Sequence, residues 1–334
     1  NTGTAGTAQI FALGASRDLG DRIARSLGLA LARCEEREFE DGEHKARSLD
    51  SVRARDVYVV HSLYSDDEQS ANDKLCRLLF FLGSLRDAGA ARVTALVPYL
   101  CYARKDRRTK ARDPVTTRYV ASMFEAVGVD ALVTLEVHNP AAFDNAFRCA
   151  TVHLQAYRLF ASCLAPLLGS ADVVVVSPDE GGMKRAEVFR QALARTLGRA
   201  VDLGFMEKTR SAGVVAGERL FAEVGGRSAV IFDDLISTGT TLLRAAQACR
   251  RAGARTVHAA ATHGLFVGNA IRVLADPAID RVIVADSVMP FRLAQEIGER
   301  KVTLIDTASL FADAIRFLRG EALATGSPDG LDSD

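Results

Sequence analysis

Seven short apolar runs recur along the chain, separated by longer stretches with a helical repeat. The runs are Asp56–His61 (DVYVVH), Arg92–Val97 (RVTALV), Ala131–Leu135 (ALVTL), Asp172–Ser177 (DVVVVS), Ser228–Phe232 (SAVIF), Val257–Ala261 (VHAAA) and Arg281–Ala285 (RVIVA). Most are β-branched or small, and polar residues do not alternate through them. Strands covered on both faces by helices read this way, as in a parallel sheet. Between them, stretches such as Ala71–Ala88 and Thr241–Ala252 place apolar residues on one helical face. The alternation predicts an α/β fold.

Two segments echo each other. AGAARVTALVPY at 88–99 and AGARTVHAAATH at 252–263 each end a helix at an Ala-Gly-Ala turn and start a strand. Glycine suits the left-handed position that follows a helix. Upstream of each lies a strand, a loop and a helix: VVHSLYSDDEQS in the first copy, VIFDDLISTGTT in the second. With 334 residues, the chain has room for two domains. The reading is two tandem α/β domains, 8–155 and 156–320, followed by a small, polar, acidic tail at 321–334 that has the composition of disorder.

Composition narrows the partners. Hydrophobic residues make up 48% and charged residues 25%, a globular balance, and the formal net charge is zero. That balance lacks the basic footprint of a nucleic-acid binder. No apolar run approaches the roughly 20 residues that span a bilayer, and the first ten residues lack the pattern of a signal peptide. Six scattered cysteines without a CxxC suggest free thiols in a reducing cytoplasm.

The chemistry concentrates where the apolar run at 228–232 stops. Asp233 and Asp234 stand side by side, then Ser237, Thr238, Gly239, Thr240 and Thr241 precede a helix. Backbone N–H groups at a helix start, with hydroxyls beside them, suit an anion. Two carboxylates would repel that anion, so sugar hydroxyls or a magnesium shell are their natural partners. The plainer alternative is a capped helix beside a solvated acid pair. Other chemistry-bearing motifs are FEDGE at 39–43, PYLCYARKDRR at 98–108, LEVHNP at 135–140, VVSPDEGGMKRA at 175–186 and EKTR at 207–210. Arg104 suits a bidentate clamp on phosphate oxygens. Along a strand, Lys208 and Arg210 share a face.

The loop at 233–241 resembles the phosphoribosyl-diphosphate (PRPP) binding loop of type I phosphoribosyltransferase folds. The loop and five motifs, in this order from about residue 9 to about residue 318, resemble the ribose-phosphate diphosphokinase (PRPP synthetase) family. The resemblance implies two tandem type I phosphoribosyltransferase-like domains, each with a mainly parallel sheet flanked by helices. Only the second would keep the PRPP loop. It implies transfer of a diphosphoryl group from ATP to the 1-hydroxyl of ribose 5-phosphate, with Mg2+, in a homo-oligomer. Phe39, Asp41, Glu43, Arg104, Lys105 and Asp106 would then bind ATP. Glu136, His138 and Asp179 would serve the metal. Lys208 and Arg210 would be catalytic, with a flap after them. Arg210, Asp233, Asp234, Ser237, Thr238, Gly239, Thr240 and Thr241 would hold ribose 5-phosphate. Lys105, Glu136 and Ser237 depart from the residues usual in the family. Two alternatives stay open: a phosphoribosyltransferase that consumes PRPP, and a non-catalytic regulatory homologue of a synthetase.

Overall fold

The computed structural model describes residues 7–211, 214–293 and 300–324, with the backbone alone described between 208 and 218. All seven apolar runs form strands. The chain divides into two units, one of residues up to Gln155 together with those from Thr307 on, the other of Ala156–Asp306.

The first unit contains β1 (Ala8–Ala12), α1 (Arg17–Ser26), β2 (Cys34–Glu38), β3 (His44–Ser48), β4 (Asp56–Val60), α2 (Ala71–Asp87), β5 (Arg92–Val97), α3 (Thr116–Ala126), β6 (Ala131–Leu135), α4 (Pro140–Ala146) and β7 (Ala150–Leu154). Its main sheet runs β1-β4-β5-β6-β7, every neighbouring pair parallel. The interior strands β4 and β6 are buried at every position, which is why they read as unbroken apolar runs. The strands β2 (CEERE) and β3 (HKARS) are polar and form a separate antiparallel hairpin. It is held to α2 by a His44–Phe80 ring stack at 5.7 Å and an Arg77–Glu38 ion pair.

The second unit contains α5 (Tyr157–Leu168), β8 (Val173–Ser177), α6 (Met183–Leu197), β9 (Asp202–Ser211), β10 (Val214–Phe221), β11 (Ser228–Ile236), α7 (Thr240–Arg251), β12 (Thr256–Gly264), α8 (Ala270–Ala275), β13 (Arg281–Ala285) and β14 (Val302–Ile305). Its sheet runs β10-β9-β8-β11-β12-β13-β14 and is parallel except for the β9–β10 pair. Phe232 of β11 anchors one face of it. The ring stacks on Phe189 of α6 at 4.0 Å and meets Phe160 of α5 edge-on at 5.6 Å. Burying one such side chain is worth roughly 1.5–3 kcal/mol, and this one sits immediately before the acid pair.

The echo in sequence is an echo in structure. Gly89 and Gly253 follow their helices at φ +88° and +85°. Arg86 donates to the carbonyls of Gly128, Ala90 and Ala91 and pairs with Asp130. Arg250 donates to the carbonyls of Ala278, Ala254 and Arg255 and pairs with Asp280. Each aspartate also accepts from the first apolar N–H of the next strand, Val93 or Val257, at 2.7 Å in both cases. One clamp, built from the same residue types at matching places, ties helix, turn and strand in each unit.

The C-terminal helix (Ala308–Leu318) differs from the sequence expectation, which keeps it in the second domain. Here it packs within the first unit. Asp56, 3% exposed, gathers Arg92, Arg319 and the Tyr58 hydroxyl. Arg92 also donates to the Leu318 carbonyl at 2.9 Å, and Arg316 to the Ser26 carbonyl at 2.6 Å. A buried carboxylate needs such partners, and one of them, Arg319, comes from the residue after the helix. The expected tail lies outside the described residues from 325 on.

Candidate active site

Strand β11 does not stop at Phe232, where its apolar run ends. Pairing with β12 continues through Asp233↔Ala261, Leu235↔His263 and Ile236↔Gly264. The two aspartates are therefore strand residues at the carboxyl end of a parallel sheet, the usual ligand-binding edge of such sheets. Arg185, in the first turn of α6, reaches both: its Nη1 lies 3.1 Å from Asp233 Oδ1 and 3.3 Å from Asp234 Oδ1. Asp233 Oδ1 also accepts the Asp234 backbone N–H at 2.9 Å. Burial first, then the charge of Asp234, raise the Asp233 carboxyl above the ordinary aspartate range, and Arg185 draws it back down. Arg185 lies inside a motif visible in the sequence but is not singled out there. Nothing local links it to residues 48 positions away.

The turn that follows is braced from behind. The Ile236 carbonyl accepts from Leu265 at 2.9 Å, and the Ser237 carbonyl from Val267 at 3.0 Å. Gly239 caps α7 at φ +75°, and a Cβ there would lie 2.8 Å from Val273 Cγ1. Both facts require glycine. Thr238 and Thr240 are exposed, their hydroxyls 3.1 Å apart. No side chain caps α7, and the backbone N–H groups of Ser237–Thr241 donate to no other described residue.

The matching place in the first unit is built the other way. Ser70 caps α2: its hydroxyl accepts from Asp73 N–H, and its own backbone N–H donates to the Asp73 carboxylate. Ser65 accepts from Ala71 N–H at 2.9 Å. Asp66 accepts the Gln69 and Glu68 N–H groups at 2.8 and 3.0 Å and pairs with the buried Lys74. The donors that α7 leaves open are filled at α2 by the protein's own oxygens. An arriving anion would meet Asp66 and Asp73 there.

Asp179 follows β8 and caps a short 3-10 turn, its Oδ1 accepting Gly182 N–H at 3.1 Å. Ser177 donates to the Asp179 carbonyl at 2.6 Å. A Cβ on Gly182 would lie 2.8 Å from Ser177 Oγ, so this turn also needs its glycine. One oxygen of Asp179 thus serves as a turn cap.

In the first unit, Phe39, Asp41 and Glu43 form the exposed tip of the β2–β3 hairpin. Glu43 N–H bonds Asp41 Oδ1 at 3.1 Å, and Arg37 lies over the Phe39 ring at 5.2 Å. Arg104, Lys105 and Asp106 lie in the loop after β5. Arg104 is exposed and makes no bond to a described residue. Lys105 pairs with Asp113 at 3.0 Å, so its added charge is balanced within its own loop. Asp106 accepts from Asn139 Nδ2 at 2.6 Å, joining this loop to the turn after β6. In that turn Glu136 is buried at φ +43°, whereas His138 is exposed. No bond among the described residues joins the Phe39 tip to residues 104–106.

Among the described residues, no group of three or more His, Cys, Asp or Glu converges as a metal cage. The backbone of Lys208 and Arg210 runs along β9, opposite Glu218 and Val215 of β10. Their side chains lie outside the described residues, as do residues 212–213 of the expected flap. No helix among the described residues is long and apolar enough to cross a membrane.

Comparison with known proteins covers both units. The N-terminal domain of ribose phosphate pyrophosphokinase matches residues 8–128, and a phosphoribosyl synthetase-associated domain matches residues 215–325. Ribose-phosphate pyrophosphokinase 2 of Enterococcus faecalis is 34% identical over 313 residues, 92% of each chain. A ribose-phosphate pyrophosphokinase of Vibrio vulnificus is 36% identical over 323 residues, 94% of this chain and 96% of its own. The crystal structure of phosphoribosylpyrophosphate synthetase from Mycobacterium smegmatis superposes with a TM-score of 0.83 at 31% identity, covering 93% of this chain and 98% of that one. Matched over nearly its whole length and in both sheets, the chain belongs to the ribose-phosphate pyrophosphokinase family.

Proposed function

We propose that this protein transfers the diphosphoryl group of ATP to the 1-hydroxyl of ribose 5-phosphate, giving PRPP and AMP. The observation that carries the reading is the contrast between the two helix starts. At α2 the protein fills its own donors, whereas at α7 an uncapped turn with open N–H groups follows directly on an acid pair. Ser237–Thr241 hold the 5-phosphate through those donors and their hydroxyls. Asp233 and Asp234 accept from the ribose hydroxyls.

The 1-hydroxyl oxygen attacks the β-phosphorus, the bond from that phosphorus to the α–β bridging oxygen breaks, and AMP leaves with that oxygen. The hydroxyl proton passes to solvent. Positioning and cationic stabilisation are the main means of such chemistry. Lys208 and Arg210 supply the cations, Arg210 also touching ribose 5-phosphate. Phe39, Asp41 and Glu43 contact the adenine. Arg104 contacts the phosphates, from a loop that Lys105–Asp113 and Asp106–Asn139 hold in place.

Mg2+ prefers oxygen ligands, keeps several waters, and is commonly held by one or two carboxylates with substrate phosphates. The absence of a protein cage among the described residues fits a metal of that kind. The half-exposed Asp179 and exposed His138 are the side chains assigned to it. Bound there, it neutralises triphosphate charge. The working protein is a cytoplasmic homo-oligomer in this reading.

The test is AMP formation from MgATP, with and without ribose 5-phosphate. Protein that binds both substrates yet makes neither AMP nor PRPP rules the reading out. Lys208→Ala is expected to lower turnover about 10²–10³-fold while ribose 5-phosphate affinity stays within about threefold. Unchanged turnover removes Lys208 from the mechanism.

A further inference from the structure

We infer that Arg185 is a positioning residue for the sugar, anchoring the acid pair through one oxygen of Asp233 and one of Asp234 so that the pair meets the sugar hydroxyls in a fixed orientation. The inference rests on the ribose 5-phosphate reading above and assigns that site a residue beyond its acid pair and phosphate turn.

Two carboxylates on consecutive strand residues, both partly withdrawn from water, repel each other, and each is free to rotate. Arg185 Nη1 answers both problems with one atom. It sits 3.1 Å from Asp233 Oδ1 and 3.3 Å from Asp234 Oδ1. Asp233 Oδ1 is held a second time by the Asp234 N–H at 2.9 Å. The carboxylate is thereby held twice through the same oxygen. A carboxylate fixed in this way presents a fixed acceptor, which is what a vicinal pair of hydroxyls requires.

The surroundings favour the arrangement. The Arg185 side chain is only 13% exposed, so its charge is little screened by water. The helix that carries Arg185 is fastened to β11 by the Phe189–Phe232 stack, one residue before the acid pair. The distance from guanidinium to acids is therefore set by packed rings rather than by a loop. The guanidinium contacts both acids, so its loss should fall on recognition of the sugar hydroxyls.

The experiment compares ribose 5-phosphate with 2-deoxyribose 5-phosphate, which lacks one of those hydroxyls, by calorimetric titration of the full chain. Wild type, Arg185→Gln and Arg185→Lys are titrated, with the KM for ATP and the thermal midpoint as controls. Arg185→Gln is expected to weaken ribose 5-phosphate binding about tenfold or more, to weaken the deoxy sugar less, and so to shrink the ratio between them. Arg185→Lys, whose amine reaches one carboxylate better than two, is expected to fall between. Retention of both affinities within about twofold by Arg185→Gln overturns the inference, as does equal loss for the two sugars, the mark of a merely structural role. Should Arg185→Gln fail to fold, Arg185→Lys decides: an unchanged ratio overturns the inference. Wild-type protein that binds neither sugar phosphate overturns the functional reading and this inference together. Wild type that discriminates no better than Arg185→Gln overturns the inference alone.

Discussion

Replacing Gly239 by alanine isolates the geometry of the phosphate turn in one methyl group. Gly239 has φ +75°, where a side chain costs about 1–2 kcal/mol. Its new Cβ would lie 2.8 Å from Cγ1 of Val273 and 3.5 Å from that residue's Cβ, and Val273 is 7% exposed. Relieving an overpacked contact of this kind costs roughly 1–3 kcal/mol. Gly239→Ala is thus expected to destabilise the protein by about 2–5 kcal/mol and to weaken ribose 5-phosphate binding, because the turn moves. Val273→Ala removes the opposing methyl. Alone it deletes two buried methyl groups, at about 0.8 kcal/mol each. Combined with Gly239→Ala it should return the steric part, a coupling of roughly 1–3 kcal/mol, and leave the backbone part. Urea unfolding of the four proteins, with and without ribose 5-phosphate, measures every corner of the cycle. Strict additivity refutes the steric argument. A Gly239→Ala cost below about 0.5 kcal/mol refutes the backbone argument as well.

Two further predictions concern the scaffold. His61 is buried and held neutral, chiefly by burial and then by the Lys74 charge, with its pKa lowered to about 3. Between that value and the ordinary 6.5 the unfolded chain binds a proton that the folded chain refuses, so stability falls as pH falls through this window. The His61 contribution is a slope of about 1.4 kcal/mol per pH unit. His61→Leu should flatten the stability–pH curve by about that slope over this range, and an unchanged slope refutes the assignment. Arg250→Met should cost about 2–4 kcal/mol in chemical unfolding, since it strips donors from three carbonyls and leaves Asp280 without its cation. A loss under about 0.5 kcal/mol would mean that the clamp repeated in both units does not support the fold.

The positions of the seven apolar strands, the parallel sheets and the tandem echo follow from the sequence alone. Interior strands must be apolar on both faces, and helix ends that turn back into strands call for glycine. The acid pair and its hydroxyl-rich turn are equally legible, because their residues are neighbours in the chain. The hairpin strands β2 (CEERE) and β3 (HKARS) are mostly polar, so no apolar run marks them in the sequence. Tertiary structure decided the rest. It carried β11 past its apolar run through Asp233 and Asp234, since ladder bonds to β12 tolerate a charged side chain where the ligand edge is open. It drew the C-terminal helix to the first unit through Asp56, a partner more than 250 residues away. It left α7 uncapped and α2 capped, a difference made by where Ser65, Asp66 and Ser70 fold back. It also set Arg185 against two acids distant in the chain. Local periodicity records which residues are buried, whereas pairing between distant charges exists only once the packed rings of α6 and β11 have fixed the space between them.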